Sequence, residues 1–564
     1  MEVDLLVAGA GAGGMATALV AALEGLDVLL CEKSDQVGGT TATSAGTVWI
    51  PGNTQSHRAG FPDSARDAEI YLRKLVGGSL QPDKLAAFLA SGPAAIDYLA
   101  GRSEVRFQSA GRHPDYVELP GAAVSGRALS PLPFDGRLLG DDFRRVRPPI
   151  EEFLVLGGMM VGKADLPRLV GRCHSAGNFA YALRLLCRYL VDRLTYPRGT
   201  RLLMGNALAA RLIYSLRKHR VPLHFNASIE EILRDDTGVT GARVRNGDGL
   251  LTIKVRKGVV LATGGFGRNP ALRLQLMPRE AASLSLSCEG STGDGLVLGT
   301  RAGATIPSGH RTGAFWAPVS VTIRRDGSRG LFPHLVLDRA KPGLIAVNSA
   351  GRRFVNEACS YHDFVEAMFD SRGGASAIPA YLICDSSFVR KYGLGAIHPG
   401  TRDLGRHERA GYISCAASLT GLAAKLSIDG TVLEQTVARH NSFAVTGNDL
   451  EFGKGAAELN RANGDPDNLP NPCIKAIDHP PYCALAVWPA DLGVSAGLAT
   501  DADGRVLDAK GTPIPRLYAC GNDMASIFMG TYPGPGTTLG PALTFAYRIA
   551  MHAAGGPGVS IARA

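Results

Sequence analysis

Apolar and polar positions along this chain come in blocks, not in simple alternation. Leu5, Leu6, Val7 and Ala8 form an unbroken apolar run, the pattern of a strand buried on both faces. An Ala-rich stretch after it predicts a helix, and residues 27–31 predict a second buried strand. Strand, helix and strand within about thirty residues make the right-handed parallel unit of a doubly wound sheet. Residues 60–105 read as helices laid on that unit. Residues 222–226 and 238–245 read as strands around Glu230-Glu231-Ile232-Leu233. An apolar strand then runs through 258–262, and Gly293-Asp294-Gly295 opens a helix. From about 305 to 488 the pattern changes to short mixed strands, proline-rich turns and helices such as 421–426, before residues 513–519 give one more apolar strand. The expected fold is α/β: a Rossmann-like domain over 1–305 and 489–564, with an inserted α+β cap domain over 306–488.

One block stands apart. Residues 150–205 read as a helical insertion, and within 175–194 the residues Phe179, Leu183, Leu186 and Leu190 share one helical face, with Arg184 and Arg188 near its edge. Two readings stand: a surface helix docked on the domain, or a monotopic contact with an anionic membrane, which would suit a lipid-like substrate. Composition narrows the rest. At 564 residues the chain exceeds one core, and 45% hydrophobic with 20% charged residues is ordinary for a globular protein. No apolar run reaches the roughly 18 residues of a membrane span, and the chain enters its first strand at once, so no signal peptide is expected. Ten cysteines without a CxxC pair fit reduced thiols in the cytoplasm and no metal site. The net charge of +9 suits an anionic cofactor or an acidic membrane surface. No nucleic-acid motif or basic–aromatic array occurs, so nucleic acid is not an expected partner.

The candidate chemistry begins where the first strand ends, at Gly9-Ala10-Gly11-Ala12-Gly13-Gly14. In a dinucleotide site the first glycine makes the tight turn and the second admits pyrophosphate to the backbone. The third lets helix and strand close up, and the helix N-terminus faces the phosphates. Glu32, about twenty residues on, suits a ribose 2′-OH and repels a 2′-phosphate. Glycines at a strand–helix turn also occur without a ligand. Here the strand, helix and acid all stand at the expected places. Gly39, Thr40, Thr41 and Ser44 follow in a Gly/Thr/Ser loop able to wrap a second phosphate. Ala262-Thr263-Gly264-Gly265 gives a second close backbone approach. Asn522 and Asp523 follow the last strand, the Asp being placed to cap the next helix and bond a ribityl chain. A loop from Gly530 through Thr531-Tyr532-Pro533-Gly534-Pro535-Gly536-Thr537-Thr538-Leu539 opens an apolar helix, with free N–H groups and a positive dipole.

This set resembles the FAD fingerprint of the fumarate reductase/succinate dehydrogenase flavoprotein superfamily. Some members attach flavin through a His in the loop after the second strand; no His occurs between Ser34 and Gly46, so FAD is expected to be non-covalent. Arg353-Phe354-Val355-Asn356-Glu357 matches a signature of that superfamily. Soluble fumarate reductases follow it, four residues on, with a proton-donating arginine, and this chain has Tyr361 there, which argues against dicarboxylate reduction. The stretch from Gly521 to Phe545 closely resembles the C-terminal signature of bacterial 3-ketosteroid Δ1-dehydrogenases. Asp115-Tyr116 with Glu118-Leu119-Pro120-Gly121, then Ser125-Gly126-Arg127 and Pro133-Phe134-Asp135, match the same family, so the resemblance spans nearly the whole chain. It implies a steroid substrate and four site residues. Tyr361 would take a proton beside the 3-keto group, Tyr116 would assist it by hydrogen bonding, and the Tyr532 hydroxyl and Gly536 N–H would bond the carbonyl oxygen. The alternative is the same architecture acting as a 3-oxo-5α-steroid 4-dehydrogenase or on another cyclic ketone. The electron acceptor stays unassigned.

Overall fold

The apolar run at the start of the chain is buried because parallel partners flank its strand on both sides. The computed structural model describes residues 1–555 except 248, 282–283, 325 and 372–374, so the tail of the expected last domain segment, 556–564, lies outside the described residues. Among the described residues, the sheet around that first strand takes six strands from the first half: β1 (Glu2–Ala8), β2 (Val28–Cys31), β3 (Leu223–His224), β4 (Ala227–Asp235), β5 (Gly238–Asn246) and β6 (Gly249–Leu261). Their order is β3-β2-β1-β6-β5-β4. β1 pairs in parallel with β2, Leu5 to Val28 through Ala8 to Cys31, and with β6, Leu5 to Gly258 through Ala8 to Leu261. The first half of β6 carries the antiparallel β5.

The chain then builds a second, antiparallel sheet from β7 (Ala314–Ile323), β8 (Arg329–Pro333), β9 (Leu344–Val347), β10 (Ala380–Asp385), β11 (Ser414–Ala416) and β12 (Tyr482–Val494). Its order is β8-β7-β12-β10-β9, with β11 beside β12. β12 pairs with β7 as far as Val494, so the second sheet runs past residue 488, where the inserted domain is expected to end. β13 (Arg505–Leu507) and β14 (Pro513–Ala519) return to the first sheet, β14 lying parallel to the second half of β6.

Helices place the glycine-rich turns. α1 (Ala12–Leu23) joins β1 to β2 and buries ten residues from Ala12 to Ala21. α2 (Gly39–Thr43) is a helical turn where a loop was expected, opened by Gly38 at φ 104°. In the 150–205 segment a small hairpin and a helical turn, Leu166–Val170, precede α3 (Ala176–Asp192). α3 buries Tyr189 and Asp192, while Phe179, Leu183 and Leu190 are 58%, 48% and 56% exposed. Three of the four residues of the apolar face read from the sequence are therefore turned outward, while Leu186 is half-buried. α4 (Asp294–Arg301) follows β6, α5 (Tyr361–Asp370) follows the Arg353–Glu357 signature, and α6 (Leu539–Ala553) closes the chain against α1 and the helix Pro82–Arg102.

Candidate active site

The first glycine turn has the shape its sequence implies. Gly9 is at φ 100°, and a Cβ there would lie 2.3 Å from the Ala262 carbonyl oxygen; one on Gly14 would lie 1.9 Å from the Gly9 carbonyl oxygen. Both positions admit only glycine, because two backbone segments cross there. Gly13 sits against Cys520 and Gly521, at the end of β14. Gly11 differs: nothing lies within 4 Å of its missing side chain. It caps α1 with no side-chain hydrogen bond, and no acidic residue occupies the first turn. An open, positive helix end over a bare backbone fits a pyrophosphate. Thr41 reaches the same turn, its Oγ1 accepting from Ala12 N–H at 3.2 Å. Glu32 spans it from below, Oε2 accepting from Ala10 N–H at 2.8 Å and Oε1 from the Ser34 N–H and hydroxyl at 2.9 Å. Thr40 Oγ1 accepts from Cys288 N–H, and the Ser44 hydroxyl donates to the Thr41 carbonyl.

The second glycine approach is organised by Asp523. Its fully buried carboxylate accepts from Thr263 N–H, from the Thr263 hydroxyl at 3.0 Å and from Gly265 N–H at 2.9 Å. It thus ties Ala262, Thr263 and Gly264 to the end of β14, where the sequence suggested a cap for the following helix. Burial lifts its pKa to about 6, against the hydrogen bonds that lower it. Asn522 lies beside it against Gly493. At the far end Thr538 and Leu539 open α6 without a side-chain cap or an acidic first turn. Gly536, at φ 101°, presses on β-structure: a Cβ would lie 2.6 Å from Thr47 O and from Trp49 N. Its own N–H makes no hydrogen bond to the described residues. The residues present therefore fit FAD, with two glycine turns, a ribose acid and a bare helix end in one line.

Three tyrosines distant in sequence meet in one buried cluster. Tyr116 and Tyr361 have hydroxyls 3.1 Å apart, and Tyr361 and Tyr532 2.9 Å apart. The Tyr116 and Tyr532 rings stack at 5.5 Å, and Tyr361 stands edge-on to both. Phe315, Ala317 and Leu459 complete the buried cluster, with Leu286, Leu335 and Leu492 packed against it. Each tyrosine is fixed by its own scaffold. Tyr116 N–H donates to the Pro533 carbonyl at 3.0 Å, which also accepts from the Tyr71 hydroxyl at 2.7 Å. Next to it, buried Asp115 accepts from Trp49 Nε1 at 2.8 Å and from Arg127 at 2.6 Å. Arg127 also holds Asp63 and the Gly121 carbonyl, which explains the Ser-Gly-Arg that follows the tyrosine in sequence. Tyr361 is the first residue of α5, whose cap Ser360 accepts from Asp363 N–H. Behind that cap Arg353 bonds both oxygens of Glu357 at 2.8 and 2.9 Å and both of Asp449 at 3.1 and 2.8 Å, all buried.

Burial pushes all three phenols above their ordinary pKa. For Tyr361, Tyr116 adds to that rise; the hydrogen bond to Tyr532 and the Arg339 cation oppose it. The hydrogen bond expected from Tyr116 to Tyr361 is present, the Tyr116 hydroxyl donating at 3.1 Å. Arg339, together with Phe315, Trp49 and His362, was not singled out by motif. Arg339 lies 22 positions before Tyr361, in a turn with no signature of its own. His362, buried beside Tyr361, accepts from Trp316 N–H at 3.2 Å through Nδ1 and lines a cavity of about 870 Å³ with Tyr532, Asp363 and Glu366.

A family model described as an FAD binding domain matches residues 4–539. The 4-oxocyclohex-2-ene-1-carboxylate 5-dehydrogenase of Sinomonas cyclohexanicum is 38% identical over 97% of this chain and 92% of its own length. The 3-oxosteroid 1-dehydrogenase of Mycobacterium tuberculosis is 33% identical over 98% of each. The crystal structure of 3-ketosteroid delta1-dehydrogenase from Sterolibacterium denitrificans, in complex with 1,4-androstadiene-3,17-dione, matches 98% of this chain and 99% of its own. It does so at 36% identity with a TM-score of 0.90.

Proposed function

This chain belongs to the FAD-dependent 3-ketosteroid dehydrogenase family within the fumarate reductase/succinate dehydrogenase flavoproteins, and we propose that it is a 3-oxosteroid 1-dehydrogenase. The observation that carries this reading is the chain of three phenol oxygens, Tyr116–Tyr361–Tyr532, the last on a loop that reaches Gly536 four residues after Tyr532 with its N–H unpaired among the described residues. Dehydrogenation beside a ring carbonyl needs an acidified α-proton, a base and a hydride acceptor. Tyr532 O–H and Gly536 N–H bond the 3-keto oxygen and stabilise negative charge as it develops there. Tyr361, as phenolate, takes the proton from ring carbon two. The Arg339 cation and the N-terminus of α5 favour that phenolate. Bound FAD supplies the hydride acceptor for carbon one. Gly11 and the N-terminus of α1 would hold its pyrophosphate, Glu32 its ribose and the bare end of α6 its pyrimidine edge, without a covalent bond. Leu286, Leu335, Leu459 and Leu492 offer the apolar walls a fused-ring skeleton needs.

The 38% identity to an enzyme named for a cyclohexenone carboxylate favours a second reading, a monocyclic ketone. The 4-dehydrogenase reading keeps the same base facing another carbon. One experiment separates the three. Under anaerobic conditions, bleaching of the flavin by androst-4-ene-3,17-dione, with 1,4-androstadiene-3,17-dione as product, is the expected result. Bleaching only by a 5α-saturated 3-ketosteroid, with a 4-ene product, or only by 4-oxocyclohex-2-ene-1-carboxylate, overturns it. We also assign the outward apolar face of α3 to an anionic bilayer surface. Among the described residues no helix is long and apolar enough to cross a membrane. Free Cys173 and Cys187, both exposed on the same segment, suit the reducing cytoplasm.

A further inference from the structure

Arg339 is an unusual cation. It is 0% exposed, and each of its side-chain hydrogen bonds goes to a main-chain carbonyl: Nε to His334 at 3.0 Å, Nη1 to Glu357 at 2.5 Å and Nη2 to Cys359 at 3.3 Å. Among the described residues it forms no salt bridge. The two nearest carboxylates are already answered. Glu357 is bonded by Arg353 and lies 3.5 Å from Lys454. Asp338 is bound by the His334 ring at 2.5 Å; that ring first, and the neighbouring Arg339 cation after it, hold its carboxyl low despite the burial that would raise it. A buried guanidinium satisfied by carbonyls keeps its full positive charge in a medium of low dielectric, where it acts over several ångströms.

That charge lies against the helix that Tyr361 begins. Cys359 lies two residues before Tyr361, and the guanidinium stacks on Phe364, one turn further along the helix that Tyr361 begins, at 4.6 Å from the ring centre. Leu335, in the same turn of chain as Arg339, packs against the tyrosine cluster. The cation lowers both Tyr361 and Tyr116 against their burial. The other charged groups around the triad have partners of their own: Asp115 has Arg127, Glu366 has Arg311, and Asp363 has the Ser360 hydroxyl. His362 faces Glu366 at 3.4 Å.

We propose that Arg339 is the buried counter-charge of the Tyr361 phenolate, a positioning residue that sets the pH at which proton abstraction begins without touching the substrate. The His334–Asp338 pair is its clamp, since it folds the turn that brings the His334 carbonyl onto Arg339 Nε. This rests on Tyr361 being the base, as proposed above.

The test is the pH profile of anaerobic flavin reduction by androst-4-ene-3,17-dione in four variants of the holoenzyme, with FAD content measured alongside. Arg339→Met moves the acid limb to higher pH, so the rate falls by about tenfold or more near pH 7 and recovers as pH rises, because a limb displaced by one pH step changes the rate on it about tenfold. Arg339→Lys keeps the charge and retains most of the profile. Asp338→Asn removes a neighbouring negative charge while keeping a group that can bond His334, and moves the limb to lower pH. Opposite displacements from two changes in one turn are what a field produces; damaged packing lowers the rate at every pH. An Arg339→Met limb that stays in place, or an Asp338→Asn limb that stays or moves upward, overturns the proposal. If Arg339→Met does not fold, the direction in which Asp338→Asn moves the limb decides alone. Tyr361→Phe is run beside them. Wild-type activity in that variant overturns the base assignment itself, whereas loss of activity there with unmoved limbs in the other variants overturns the Arg339 proposal alone.

Discussion

Tyr361 and Tyr532 share a hydrogen bond of 2.9 Å, so deleting either hydroxyl disturbs both, and turnover alone does not assign roles. Tyr361→Phe keeps the ring in a pocket where Tyr116 and Tyr532 stand around it, so folding and FAD content survive. Loss of a general base is worth about 10²–10⁴ in rate. Tyr532→Phe removes one of two donors to the carbonyl, commonly about 10²–10³, while Gly536 N–H remains. Deuterium exchange at ring carbon two separates them. It nearly vanishes without the Tyr361 hydroxyl and slows in step with turnover without that of Tyr532; exchange at the wild-type rate in Tyr361→Phe would move the base elsewhere. These residues were legible because each is anchored in a local motif: the Arg353–Glu357 signature, the Thr-Tyr-Pro-Gly-Pro-Gly loop, the Asp115–Arg127 stretch. Arg339 and Phe315 carry no such neighbourhood. Their part in the site exists only because β7 and the 334–339 turn fold against α5, a relation between segments that no spacing encodes.

The glycine turns give a prediction at the scale of the element. Gly11 and Gly14 belong to one motif and both read as cofactor glycines, yet they fill different roles. A methyl on Gly14 meets the Gly9 carbonyl at 1.9 Å, a clash inside the protein; a methyl on Gly11 meets nothing within 4 Å. Gly14→Ala therefore lowers the stability of the protein stripped of FAD, by the 1–3 kcal/mol or so of an overpacked core site. Gly11→Ala leaves the melting temperature of the stripped protein unchanged and weakens FAD binding. Equal melting of both stripped variants would show that the motif packs the same way at each position. Acid precipitation of the wild type releases intact FAD, and flavin remaining on the polypeptide would overturn the non-covalent assignment. The parallel unit, the 238–246 strand and the strand into Ala262 were readable because buried strands are short, apolar and ended by glycine. Two elements were less so. Residues 39–43 have the composition of a loop but close a helical turn under α1, and β12 carries the second sheet past 488 because its pairing with β7 outweighs the change of composition there.

At the scale of the molecule, charge is distributed in two contrasting ways, one buried and one exposed. Glu357 and Asp449 are buried around Arg353, between the second sheet and the approach to α5. Burial would raise both carboxyls, but Arg353 holds each at about 2, below unfolded values near 4.5 and 3.8. A depressed acid stabilises the fold above its unfolded pKa, and that stability is lost as pH falls toward the folded one. With FAD in excess, melting temperature falls between about pH 4.5 and 2. Arg353→Met, which leaves Asp449 without its guanidinium partner and Glu357 with only Lys454 beside it, costs about 3–5 kcal/mol at neutral pH and is partly relieved by acid; a variant that keeps the wild-type acid sensitivity would overturn this. The exposed arrangement is the 150–205 segment. Its helix was legible as amphipathic, but which face docks was not, since an apolar stripe reads the same toward a core or a bilayer. Phe179, Leu183, Leu190 and Leu194 face outward on α3 and just after it, with Leu166 and Val170 on the turn beside them. Arg168, Arg172, Arg184 and Arg193 are exposed around this patch. Apolar side chains ringed by arginine suit the boundary between acyl chains and anionic headgroups, each basic residue near such a surface being worth about 1 kcal/mol. The protein is expected to float with vesicles of phosphatidylglycerol and phosphatidylcholine at low salt, and to stay in solution with phosphatidylcholine alone. Leu183→Glu with Leu190→Glu abolishes flotation and leaves steroid turnover in detergent-free buffer unchanged, because both side chains are far more exposed than any residue of the tyrosine cluster. Flotation that survives the double change would place the membrane contact elsewhere on the chain.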